Sequence, residues 1–202
     1  MFTFALLTRR GIRIVRRLQR RATTRNQHRT IASPAQRATS ELLTKYNSTA
    51  ALVRTQHLDA HQAQKLSLML NRREIQPGNI VLPDPPKNGT PLPPGYHLVY
   101  FTPASLENGL GADGSDRTFN PPGGFTRRMW AGGSLEWKAG NPLRVGDHVE
   151  EKTRLVAATP KKSRSGHEMI IVEVEKEFSN ANGLALRDRR YVPIFSCVWV
   201  RC

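Results

Sequence analysis

The sequence predicts an α+β chain, with one antiparallel sheet, a helical segment ahead of it and a cationic extension ahead of both. Three observations carry this. Residues 1–40 hold ten Arg and no acidic residue. Residues 40–70 lack Pro and Gly and are rich in Leu, Ala, Gln and Lys, as helices are. After residue 125, apolar and polar positions alternate in runs separated by turn residues. The 202 residues suffice for one domain plus an extension and fall short of two ordinary domains.

Taken in order, residues 1–40 read as a targeting segment. Arg9, Arg10, Arg13, Arg16, Arg17, Arg20 and Arg21 gather opposite Phe4, Leu7, Ile14, Val15 and Leu18 when wound as a helix. That pattern suits a mitochondrial presequence and delivery to the matrix. The competing reading is a basic arm for RNA or an anionic membrane, which would make the chain a mitochondrial RNA-binding or ribosome-associated protein. The chain carries a net +15, yet residues beyond 40 contribute only 21 basic against 16 acidic side chains, which argues against nucleic acid as a partner. No apolar run approaches the roughly 20 residues that a membrane-spanning helix requires.

Residues 41–76 are expected to be helical. Residues 77–94 hold seven of the fourteen prolines and read as an extended connector. The run Gly95-Tyr-His-Leu-Val-Tyr-Phe101 reads as a strand by its aromatic and β-branched content. Further strands are expected at 127–138, 148–158, 168–178 and 184–194. In the third, Ile170, Val172, Val174 and Phe178 share one face, while Glu173, Glu175 and Glu177 share the other, which should be wet. Residues 179–183, Ser-Asn-Ala-Asn-Gly, tolerate positive φ and predict a hairpin.

Several local patterns carry less chemistry than they suggest. Gly109, Gly111 and Gly114 match G-x-G-x-x-G, but no helix can open after them, so a loop is expected rather than a dinucleotide site. His57 and His61 stand four apart on an expected helix without the glutamate of a zinc-peptidase motif, and read as ordinary helix histidines. Cys197 and Cys202 give neither a disulfide framework nor a zinc site. No metal and no cofactor is expected. Lys161, Lys162 and Arg164 surround Ser163, Ser165 and Gly166 between two strands, where a solvated hairpin tip competes with a phosphate contact. The block Phe125 to Trp137 sets two indoles beside Gly132 and Gly133, which suggests a strand closely approached by another backbone or a ligand.

That block, R-R-M-W-A-G-G-S-L-E-W, is followed by N-P-L-R-V-G-D at 141–147 and S-R-S-G at 163–166. With L-P-P-G-Y-H at 92–97, L-G-A-D-G at 110–114 and F-N-P-P at 119–122, it resembles the N-terminal half of a MaoC-like hydratase. The resemblance is closer to the mitochondrial hydroxyacyl-thioester dehydratase type 2 and mesaconyl-CoA hydratase group, and it covers roughly residues 50–190. It implies a hot-dog-like N-terminal domain at 95–194, the first of two in tandem. The implied chemistry is interconversion of a 3-hydroxyacyl thioester and a 2-enoyl thioester plus water. The implied partners are an acyl-CoA or acyl-carrier-protein thioester and a second hot-dog domain or a homodimer mate. The family's acid/base pair, an Asp and a His, belongs to the second half, so no catalytic residue is assigned. Asp116 to Pro122 echo its D-x-N-P-x-H pattern without the His. By residue type and by the block's resemblance, Arg127, Arg128 and Trp130 are the candidates for contacting substrate. The ending at 195–202 departs from the polar linker such a relative leads one to expect, which predicts a truncated or mis-spliced product.

Overall fold

The computed structural model describes residues 32–47 and 50–196. Residues 1–31 of the expected targeting segment at 1–40, and residues 197–202 of the tail at 195–202, lie outside the described residues.

Helix α1, Pro34–Asn47, begins inside the stretch assigned to targeting. Its start is encoded locally. Pro34 occupies the first helical position, where its missing N–H costs nothing. Ser33 and Gln36 exchange hydrogen bonds, Gln36 N to Ser33 Oγ at 3.3 Å and Ser33 N to Gln36 Oε1 at 2.8 Å. Ala35, Ala38 and Leu42, spaced three and four apart, are buried against the sheet.

The expected helical stretch at 41–76 is interrupted. Strand β1, Leu52–His57, precedes helix α2, Ala60–Met69, which Asp59 caps by accepting from Gln62 N at 2.9 Å. His57 and His61 therefore do not share a helix: His57 lies in β1, its ring 4.9 Å from that of His148. The small hairpin β2, Glu74–Gln76, and β3, Asn79–Ile80, leads into the proline-rich stretch. That stretch is tied down by Leu92 N to Leu143 O and Val145 N to Thr90 O.

Residues 95–101 are not a strand. Gly95 takes φ +89° and a 3₁₀ turn follows at Tyr96–Val99. Strand formation loses here because consecutive Tyr96 and His97 are both buried, a pattern a half-buried strand cannot satisfy. Their turn is pinned to α2 instead, with the Tyr96 and Ser67 hydroxyls 3.0 Å apart and Tyr100 donating to the Asp59 carbonyl at 2.6 Å.

The sheet follows: β4, Phe125–Arg128; β5, Gly132–Trp137; β6, His148–Lys162; β7, Glu168–Asn180; and β8, Gly183–Ser196. Its order is β1-β6-β7-β8-β4, with β5 also pairing β8, and all pairings are antiparallel. The expected single strand at 127–138 is broken at Trp130-Ala131, so β4 and β5 share one partner. Between 180 and 183 the hairpin closes where expected. Ile170, Val172, Val174 and Phe178 line the inner face and are buried, with α1 over one end and α2 over the other. The opposite face is less wet than its three glutamates suggest. Glu175 is buried beneath Arg154, Arg187 and Arg189, which hold its carboxyl below the ordinary range despite the opposing effect of burial.

Candidate functional site

Charged residues usually avoid the inner face of a sheet, but this one carries a band of them between its two apolar clusters. Thr153, Lys176 and Asp188 are direct cross-strand neighbours on β6, β7 and β8, so their side chains share the inner side. Glu151, fully buried, sits one step away. It accepts from Lys176 Nζ at 2.5 Å, Arg54 Nε at 2.8 Å and the Thr153 hydroxyl at 3.2 Å. Burial alone would raise this carboxyl, but the ammonium and the guanidinium overcome it and hold it low. Asp188 is clasped by Arg190 through Nε at 2.8 Å and Nη2 at 2.5 Å. Above the band lies His97, 2% exposed, its ring edge-on to Phe178 and its Nε2 without a partner. Burial lowers its pKa to about 4, against the pull of Asp188, so the imidazole is neutral at physiological pH.

Beside this band a cavity of about 290 Å³ is lined by Tyr46, Leu52, Phe119, Thr153 and Leu155. Tyr46 comes from the last turn of α1. Its ring lies 4.8 Å from that of Phe119, and its hydroxyl donates to the Thr118 carbonyl. Hydrocarbon surface thus dominates one wall, and a hydroxyl already engaged with Glu151 marks the other. Such a shape accepts an aliphatic chain, with Arg154 as the one charged residue in its lining.

None of the three candidates read from the sequence lines this cavity. Arg127 is exposed on β4, and Arg128 turns inward to donate to the Asp116 carbonyl. Trp130 is 65% exposed and its ring lies against Gly133, where a Cβ would meet it at 2.8 Å and the Arg189 carbonyl at 2.4 Å. The close approach expected at the Gly pair is therefore made by the chain itself. Asp116 serves its own loop, accepting from Thr118 N at 2.9 Å. The cavity residues were not singled out in the sequence because they come from separate segments, and only the inward parity of Val149, Glu151, Thr153 and Leu155 marks any of them.

The family model for hydroxyacyl-thioester dehydratase type 2 matches residues 95–196, the stretch that holds β4 to β8 and the His97 turn. The chain belongs to this family. Mesaconyl-C(4)-CoA hydratase of Chloroflexus aurantiacus is 32% identical over 107 residues, covering 46% of this chain and 38% of that protein. The mitochondrial hydroxyacyl-thioester dehydratase type 2 of Schizosaccharomyces pombe is 40% identical over 52 residues, 24% of this chain and 17% of that protein. The chain thus spans well under half the length of these relatives. Among solved structures, the ChsH1–ChsH2 complex of Mycobacterium tuberculosis matches at 12% identity with a TM-score of 0.56, covering 82% of this chain and 98% of that one. At that identity the likeness supports the hot-dog fold of the family and no more.

Proposed function

We propose that the described residues form the half of an acyl-thioester hydratase or dehydratase that shapes the acyl pocket. Water would be added or removed at the 2,3 bond by groups on a second hot-dog domain or a partner copy. The observation that carries this reading is the cavity on the inner face, walled by Tyr46, Leu52, Phe119 and Leu155. Its chemistry is passive, excluding water from a hydrocarbon chain and fixing its direction. The Arg54–Glu151–Lys176 group, two cations on one buried carboxylate, gives the neighbouring floor a polar surface that an aliphatic chain does not enter.

A catalytic role for these residues alone lacks support. The family's Asp/His acid–base pair finds no full match in this sequence, where Asp116 to Pro122 lack the following His, and such groups typically contribute 10²- to 10⁴-fold each. The purified chain should therefore hydrate a 2-enoyl thioester at background rate yet bind its acyl part. Leu155→Trp fills the cavity and should weaken binding of a medium-chain acyl thioester about tenfold or more, with the fold retained by circular dichroism. Unchanged binding would remove the cavity from the site. Arg127 and Trp130, both exposed, remain our candidates for contacts outside the pocket.

The S. pombe relative's mitochondrial setting and the ten Arg of residues 1–40 support import into the matrix. Because α1 begins at Pro34, the import signal is proposed to lie ahead of it. Residues 1–31 fused to a fluorescent reporter should carry it into mitochondria, and a cytosolic reporter would defeat the proposal.

A further inference from the structure

In the sequence His57 stands nearest to His61, but the fold sets it against His148. The two are directly opposite on β1 and β6, their rings 4.9 Å apart between centroids and tilted by 46°. Both are exposed, on the outer face, since their parity is opposite to that of the buried Val149. Their register is fixed. Immediately beyond the pair Gly146, at φ +90°, donates to the Leu58 carbonyl at 2.8 Å, and Leu58 N donates to the Asp147 carbonyl at 2.9 Å. Two residues of one strand thus face one of the other, a glycine bulge of the kind that pins register and re-aims the side chains beside it.

Two imidazoles held in this way match the bite of a single metal ion. A nitrogen ligand stands about 2.1 Å from Zn²⁺, which puts the ion about 3.2 Å from each ring centroid. Angles of about 90° to 109° at the ion then require centroids about 4.6 to 5.3 Å apart, the interval that holds the observed 4.9 Å. Imidazole favours Zn²⁺, Cu²⁺ and Ni²⁺ over the hard ions Mg²⁺ and Ca²⁺. No third His, Cys, Asp or Glu completes a set among the described residues, and Glu150, two residues along β6, is paired with Lys152 at 2.8 Å. The other coordination positions are open to water.

We propose that His57 and His148 chelate one Zn²⁺ ion across the edge of the sheet. β1 is the edge strand there, five of its six residues exposed, and its other end carries Leu52 in the cavity wall. Arg54 on Glu151 holds the middle of β1 from the inner face, and the ion holds the His57 end from the outer face. The metal is a clamp on the strand and takes no part in acyl chemistry. The site does not depend on the acyl-pocket reading.

The test uses the full chain with Cys197→Ser and Cys202→Ser, which removes two thiols that compete for Zn²⁺. Zn²⁺ is titrated calorimetrically into this parent and into versions that add His57→Asn, His148→Asn or both, each verified as folded by circular dichroism. Each single substitution should weaken Zn²⁺ binding by about tenfold or more, and the double should lose no more than either single, because a chelate fails once one arm is gone. In the parent, Zn²⁺ but not Mg²⁺ should slow hydrogen exchange along β1. Additive losses would mean two independent histidines, and binding indifferent to both substitutions would place the ion elsewhere; either result overturns the proposal. So would a parent that binds Zn²⁺ no more tightly than Mg²⁺, or whose β1 exchange Zn²⁺ leaves unchanged.

Discussion

His97 is the residue at which burial and ionisation conflict most directly. Its pKa falls from the ordinary 6.5 to about 4, mainly through burial. The unfolded chain therefore binds more protons than the folded one between those values. Stability is complete above pH 6.5, declines as the pH falls towards 4 and levels off below it, by about 3 kcal/mol in all. The carboxylates held low by their cations, Glu151 and Glu175, add a separate loss only below the ordinary glutamate range. His97→Phe keeps an edge contact with Phe178 and removes both the titration and the unpartnered Nε2. Chemical denaturation at pH 7, 6, 5 and 4.5 should show a steep wild-type decline and a nearly flat variant. Parallel curves would show that His97 is not the group that titrates. The sequence marks this residue only as the end of the L-P-P-G-Y-H motif, since its neighbours in the turn suggest a strand and its charged surroundings come from β6, β7 and β8.

At the scale of elements, the strand at 168–178 was legible because Ile170, Val172, Val174 and Phe178 recur on one face and period two leaves a single register. Val172 is fully buried between β6 and β8, whereas Glu173 is half-exposed on the far side. Val172→Asp should abolish the cooperative melt, because a carboxylate there has no partner, while Glu173→Lys should shift it by a few degrees at most. Equal losses would contradict the register. β1 escaped detection because five of its six residues are exposed, so its sequence has no apolar alternation to read. The opposite error at residues 95–101 arose because aromatic content imitates a strand, while Gly95 and the buried pair Tyr96-His97 impose a turn. The cavity was illegible for a related reason. It forms only when the end of α1, the start of β1, the loop at Phe119 and the middle of β6 come together, and no local spacing records that meeting.

For the whole molecule, the decisive question is which apolar surface is left to a partner. The apolar character of Val192, Ile194, Phe195, Val198 and Trp199 suggests surface that would be exposed without a partner domain and promote association. The fold corrects this. β8 continues through Ser196, Ile194 is fully buried, and Val192 packs against the same cluster; Val198 and Trp199 lie outside the described residues. One group of exposed apolar side chains lies instead at the opposite edge of β8, where Met129, Trp130, Leu135, Trp137 and Tyr191 surround β5. Leu135 and Trp137 pair with Asp188 and Leu186, which places them on the inner face, at a strand whose far edge has no partner among the described residues. A surface of this kind, apolar side chains beside unpaired backbone groups, promotes edge-to-edge pairing. The full chain should therefore associate in a concentration-dependent way by light scattering. Leu135→Lys/Trp137→Lys places two charges at that edge and should shift the population towards monomer, with the melt retained because both side chains are already about 40% exposed. Association that persists unchanged in the variant would move the interface away from β5.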